Sequence, residues 1–157
     1  SEVTIEVLNP QTLLLSGTAS DTNTNSVALR ITVGQVSFLL TADIGQEVER
    51  ELITRRADLI STVLKVAHHG SDTSTSPEFL AVVIPRIAVI SVGQDNKFGL
   101  PNQEVVSRLE QKLGLENVYR TDEDGTIEFI TDGARLWVRV GKGEVRGIKG
   151  AGQQSPS

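Results

Sequence analysis

Between Arg86 and Gly93 the chain reads Ile87-Ala88-Val89-Ile90-Ser91-Val92, an apolar run of the kind found in strands buried on both faces. Such a strand needs a neighbour on either side and cover above and below, so the rest of the chain must supply a sheet and the layers that pack on it. Residues 26–43 supply a hairpin: Val27, Leu29, Ile31 and Val33 alternate before Gly34-Gln35, and Val36, Phe38 and Leu40 alternate after it. A Gly-X pair at that point has the chemistry of a type II′ turn. Residues 46–59 place Val48, Leu52, Ile53 and Leu59 among Glu and Arg, a helical spacing with one apolar stripe that is expected to cover one face of the sheet.

Further signals follow the same logic. Residues 61–68 read as a strand, and Ser76-Pro77-Glu78 starts a short helix to about Ile84, with a serine cap, proline at the first helical position and an acid in the first turn. Residues 102–113 carry Val105, Val106, Leu109 and Leu113 at helical spacing, closed by Gly114. Residues 118–120, 126–130 and 136–140 are expected to form an edge meander with turns at Asp124-Gly125 and Asp132-Gly133. Residues 9–25 read as a long polar loop. From Gly141 the chain turns Gly, Lys and Gln rich and cannot bury enough apolar surface to order itself.

A length of 157 residues fits one domain able to bury a core, and 38% hydrophobic with 22% charged residues is globular. A net charge of −5 gives no general attraction to nucleic acid or to an anionic membrane, so any DNA contact must be local. The absence of cysteine excludes disulfides, zinc-thiolate sites and cysteine nucleophiles, and no apolar run approaches the ~20 residues of a membrane span. With no methionine and no signal peptide in the sequence, the chain is expected to begin at a processed or artificial end.

The chemistry sits at the ends of two strand-like segments. Asp43 closes the stretch that starts at Val36, and His68-His69-Gly70-Ser71 closes the one that starts at Ser61. A carboxylate and two imidazoles delivered there are what a hydrolytic metal site needs, with strands holding ligands and loops leaving room for substrate. His68 and His69 are the only histidines in the chain, fewer than a two-metal centre draws on, so these residues predict part of a centre. Asp43 also stands where a cap for the following helix would stand. Neighbours at a strand end point to opposite sides, so at most one histidine is expected to face the site directly. Residues 70–76 supply a glycine, hydroxyls and a helix start, either an anion site or an ordinary capped loop. Lys65 and Lys97 either touch a phosphodiester at this rim or are simply solvated.

Asn25-Ser26-Val27-Ala28-Leu29-Arg30, Phe38-Leu39-Leu40-Thr41-Ala42-Asp43, Leu64-Lys65-Val66-Ala67-His68-His69-Gly70-Ser71, Ala88-Val89-Ile90-Ser91-Val92-Gly93 and Tyr119-Arg120-Thr121-Asp122 occur in this order. In them the chain resembles the C-terminal half of the metallo-β-lactamase-fold domain of ComEC-type competence proteins, the membrane channels of DNA uptake. The resemblance implies an α/β fold, half of an αββα sandwich with a mixed sheet and helices on one face. Residues 1–140 would be the C-terminal part of that domain and 141–157 a flexible tail. It implies that Asp43 is a metal-bridging carboxylate, with Ala42 in place of the family's glycine. His68 and His69 would be ligands or site wall, and Gly70, Ser71 and Lys97 would face substrate. The family's His-x-His-x-Asp-His signature is absent, and its Gly-His-Pro reads Gly99-Leu100-Pro101 here, where leucine cannot coordinate a metal.

By the same resemblance, the complete domain would be a zinc- or manganese-dependent phosphodiesterase acting on DNA. Its parent would lie in the cell membrane, with this domain outside the cytoplasm. The partners implied are the missing N-terminal half, the membrane channel and single-stranded DNA. This chain alone is expected to hold no metal tightly, to be inactive and not to insert into a membrane. A non-catalytic DNA-binding or structural ectodomain of the same channel is the alternative.

Overall fold

The run that stops at Gly93 forms a strand inside a six-stranded mixed sheet, in a computed structural model that describes residues 2–11, 14–18, 20–141, 143 and 145–148. The strands are β1 (Val3–Asn9), β2 (Ala28–Val33), β3 (Val36–Leu40), β4 (Val63–Lys65), β5 (Ile87–Ile90) and β6 (Val118–Arg120), and they lie side by side in chain order. β1, β2 and β3 pair antiparallel, whereas β3 to β6 are parallel. The expected hairpin is present: Val33 pairs with Val36 across Gly34-Gln35, and only Gly34 takes a positive φ, +58°, the sign pattern of a type II′ turn. Glycine is required there twice over, since a Cβ would lie 2.4 Å from the Gly133 carbonyl oxygen.

Among the described residues the α-helices are α1 (Asp21–Thr24), α2 (Gln46–Thr54), α3 (Pro77–Val83) and α4 (Gln103–Leu113), which connect these strands, and α5 (Thr121–Asp124), which follows β6. α1 lies inside the segment expected to be loop, capped by Ser20. α2 stops five residues short of the expected end at residue 59, because Arg56 takes φ +55° and the Ala57 amide closes back on the Leu52 carbonyl at 3.1 Å. Leu59 is still buried, but from the segment after the helix. α3 and α4 start as expected, on the Ser76 hydroxyl accepting from the Phe79 amide and on the Asn102 side chain accepting from the Glu104 amide.

Directly paired residues share a sheet face, so register sorts the core into two layers. Leu39, Leu64 and Ala88 stand in one row and pack with Val48, Leu52, Phe79, Leu80, Val105 and Leu109 from α2, α3 and α4. Phe38, Val63 and Ile87 stand in the alternate row and meet a second sheet made of β7 (Ile127–Thr131), β8 (Leu136–Val140) and β9 (Arg146–Ile148) through Leu136, Phe129 and Ile148. The Phe38 and Phe129 rings meet edge to face with centroids 6.1 Å apart. The chain is thus α/β, with a mixed sheet carrying helices on one face and strands on the other, a layering compatible with half of an αββα sandwich.

The expected closing meander is corrected in one respect. Residues 118–120 join the large sheet beside β5, and α5 intervenes before β7 and β8 start the small one. Three-residue β6 carries no turn of its own, so pairing with a buried neighbour decides where it goes. Within the expected tail, Arg146–Ile148 pairs with β8, and residues 149–157 lie outside the described residues. No helix among the described residues is long and apolar enough to cross a membrane.

Candidate functional site

Because β3 to β6 are parallel, their carboxyl ends share one edge, the place where open α/β sheets present ligand sites. Asp43 follows β3, the turn Ala67–Gly70 follows β4, Ser91 and the 93–101 loop follow β5, and Thr121 follows β6. Thr121 ties two of these ends: its hydroxyl donates to the Val92 carbonyl and accepts from the Val92 amide, both at 2.8 Å.

The two histidines do not lie on a strand. β4 ends at Lys65, and His68 and His69 occupy the left-handed region at φ 47° and 54°, followed by Gly70 at +81°. Strand alternation therefore does not apply, and both imidazoles reach the same cavity, contrary to the expectation that at most one would. Consecutive left-handed non-glycine residues are costly and persist only where surroundings over-determine them. Here the His68 amide donates to the Ala42 carbonyl at 2.9 Å, the Ser71 amide to the His68 carbonyl at 3.0 Å and the Asn102 amide to the Gly70 carbonyl at 2.9 Å. Pro101 presses on Gly70 so closely that a Cβ there would sit 2.7 Å from the proline Cβ.

His69 is oriented from both sides. Its Nδ1 lies 2.6 Å from the Ser91 carbonyl oxygen, which accepts only, so Nδ1 carries the proton and donates. Nε2 is then the nitrogen that faces Asp43, 3.5 Å from its Oδ1. A neutral His69 thus turns a lone pair toward a carboxylate, and two facing acceptors leave a gap that a proton or a metal cation fills. This backbone-anchored imidazole is the form metal-binding histidines adopt. His68 is held more loosely, with Nδ1 3.4 Å from the Thr73 hydroxyl. Asp43 is not the helix cap: Gly45 holds that position, with no side-chain cap bond. Ala42, standing where the resemblance has glycine, is held at φ 45°.

Asp43, His68 and His69 line a cavity of about 530 Å³ together with Ser71, Asp72, Phe98, Gly99, Leu100 and Asn102. A neighbouring hollow of about 650 Å³ shares Asp43, His68 and Asp72 as its wall. Gly70 is buried beneath Pro101, and Lys97 is exposed on the 93–101 loop but not in the cavity wall. Lys65 is half-buried rather than solvated. Its ammonium donates to the carbonyls of Val66 at 3.3 Å and Ala42 at 3.5 Å. Burial pushes its pKa down, and the Asp43 carboxylate pulls the other way. Among the described residues, no three His, Cys, Asp or Glu side chains converge as a metal site. Sequence reasoning missed Asp72, Asn102 and the Ser91 carbonyl. Asp72 stood two residues past the histidine-histidine-glycine turn, and Ser91 was the one polar break in the β5 run.

No family model matches this sequence. It is 37% identical over 107 residues, 68% of the chain, to ComE operon protein 3 of Bacillus subtilis. It is 36% identical over 110 residues, 69% of the chain, to Competence protein ComA of Neisseria gonorrhoeae. To Recombination protein 2 of Haemophilus influenzae it is 37% identical over 113 residues, 71% of the chain. The chain spans only 14 to 16% of the length of these curated relatives. Over about two thirds of its length it is therefore homologous to a short stretch of competence proteins.

Proposed function

We propose that this chain is one half of a metallo-β-lactamase-type domain in a DNA-uptake protein, and that the complete domain acts on DNA phosphodiesters. The observation that carries the reading is the arrangement of Asp43 and His69, with the imidazole tautomer fixed by the Ser91 carbonyl. Asp43 and His69 would hold zinc or manganese jointly with ligands from the other half, with His68 in the wall of the same cavity as a further candidate ligand. The bound metal supplies Lewis-acid chemistry toward a phosphodiester. The chain's own residues do the positioning: Ser91 aims His69, Thr73 steadies His68, and Ser71, Asp72 and Asn102 give polar wall around a single-stranded segment. The parent would be a protein of the cell membrane with this domain outside the cytoplasm, and its channel would be the second partner.

A second observation supports the half-domain reading. Val3, Ile5 and Val7 on β1 alternate on one face and are 57, 60 and 63% exposed. Their partners Val33, Ile31 and Leu29 pair in turn with Val36, Phe38 and Leu40, so this is the same face that the small sheet covers farther along. Phe129 on Phe38 sets β7 over β3, with the uncovered β1–β2 surface next to it. A missing strand layer continuing from β7 would cover these residues, and completing the burial of three such side chains is worth roughly 1 kcal/mol each.

Metal-dependent cleavage of single-stranded DNA by the complete domain, lost in His69→Ala, is the expected result. Cleavage that needs no metal, or that survives His69→Ala, would contradict the proposal. The non-catalytic alternative has one observation in its favour, Leu100 in the cavity wall, and DNA binding without cleavage would select it. Leu100 is fixed through its backbone, its amide donating to the Asn96 side chain at 3.0 Å and its carbonyl accepting at 2.7 Å. In the complete domain, Leu100→His is therefore expected to tighten metal binding by about ten- to a hundredfold. Calorimetry checks this, and unchanged affinity would place residue 100 away from the metal.

A further inference from the structure

We propose that Glu49 is a positioning residue for His68, acting through the 71–76 loop. Glu49 lies in α2, is fully buried, and has no place in the metal chemistry above. Both of its carboxylate oxygens accept backbone bonds from the loop, Oε1 from the Thr75 amide and Oε2 from the Ser76 amide at 3.0 Å. Arg108 of α4 completes the clamp by donating to the Thr75 carbonyl at 2.9 Å. Between these bonds Thr75 sits at φ 54°, a conformation that a β-branched residue adopts only under constraint.

The clamp leads to the site through named atoms. The Gln46 side chain, one turn before Glu49, donates to the Asp72 carbonyl at 3.2 Å, and the Gln46 amide donates to the Thr73 carbonyl at 3.0 Å. The Thr73 hydroxyl lies 2.9 Å from the Ser71 hydroxyl and 3.4 Å from His68 Nδ1. Ser71, Asp72 and His68 all line the cavity that holds Asp43. A carboxyl in this setting is costly, since burial pushes its pKa up against the pull of the loop amides and Arg108. An apolar residue would fill the space without that cost but could not hold two amides of a left-handed turn. Glu49 therefore fixes where the loop sits, and the loop carries the Thr73 hydroxyl that meets the His68 ring.

The inference rests on the proposed place of His68 in the site, and its test uses neither metal nor DNA, so the two can fail separately. In the chain as it stands, Glu49→Gln replaces one acceptor with a donor facing an amide. Native-state hydrogen exchange at Thr75 and Ser76 is expected to quicken at least about tenfold, the loss of one hydrogen bond to a charged group. In nitrogen NMR at fixed pH the His68 ring signals are expected to move, while those of His69, anchored on Ser91, stay. A lower melting temperature or faster Thr75 and Ser76 exchange with the His68 ring signals unmoved would overturn the proposal and leave Glu49 a plain stabilising residue. Should Glu49→Gln not fold, Arg108→Met releases the Thr75 carbonyl and removes the cation facing Glu49 while keeping the Glu49 carboxyl itself. It is expected to move the same amides and the same ring, and an unmoved His68 there would overturn the proposal equally.

Discussion

Gly70→Ala is expected to cost the fold about 2–4 kcal/mol and to disturb both site histidines at once, the sum of left-handed strain and overpacking. Gly70 sits at φ +81°, and an added Cβ would lie 2.7 Å from the Pro101 Cβ and 3.4 Å from Ile90 Cγ2. Neither neighbour can retreat easily: Ile90 is a fully buried strand residue, and Pro101 precedes the cap of α4. The backbone cannot turn away either, since the Gly70 carbonyl accepts from Asn102 and the next amide closes on His68. Gly93→Ala is the matching control, with no positive φ and open space around it, and is expected to unfold like the wild type. Urea unfolding of the two variants checks the difference. Equal midpoints would mean that the 93–101 loop does not brace the turn.

In the complete domain, Asp43→Ala and His69→Ala are each expected to lower zinc or manganese affinity by a hundredfold or more, beyond the roughly ten- to hundredfold typical of groups behind the ligands. The side chains are 39% and 44% exposed, so removing either is expected to change folding stability by no more than about 0.5 kcal/mol, which separates lost binding from lost fold. His68→Ala is expected to cost less than His69→Ala. The Ser91 carbonyl at 2.6 Å holds His69 in its binding form, whereas His68 meets the Thr73 hydroxyl at 3.4 Å. Metal titration across the three variants reads the order directly, and a larger loss at His68 would reverse the assignment of the two rings.

What was legible in the sequence was what local chemistry decides. The Gly34-Gln35 turn, the Ser76 cap, the Gly114 end of α4 and the β5 run each carry their cause within a few residues. Asp43 and the histidines were legible as chemistry because strand-like segments delivered them. The left-handed turn at His68 and His69 was not, because no side chain there asks for positive φ. The Ala42 carbonyl, Pro101 and Asn102 impose it from other parts of the chain. Glu49 read as one more charge on an amphipathic helix, since the amides it holds lie 26 and 27 residues away. β9 was hidden for the same reason: Arg146–Ile148 has little apolar pattern of its own and becomes a strand through β8.

The most direct test of the proposed half-built metal centre is calorimetric titration of zinc into this chain alone and into the chain joined to the proposed complementary half. Asp43 and two imidazoles leave a first shell incomplete, so the chain alone is expected to bind weakly and to cleave no single-stranded DNA. The joined domain is expected to bind tightly, with Val3, Ile5 and Val7 losing solvent exposure. A submicromolar zinc site in the chain alone at neutral pH, abolished by Asp43→Ala, would contradict this account.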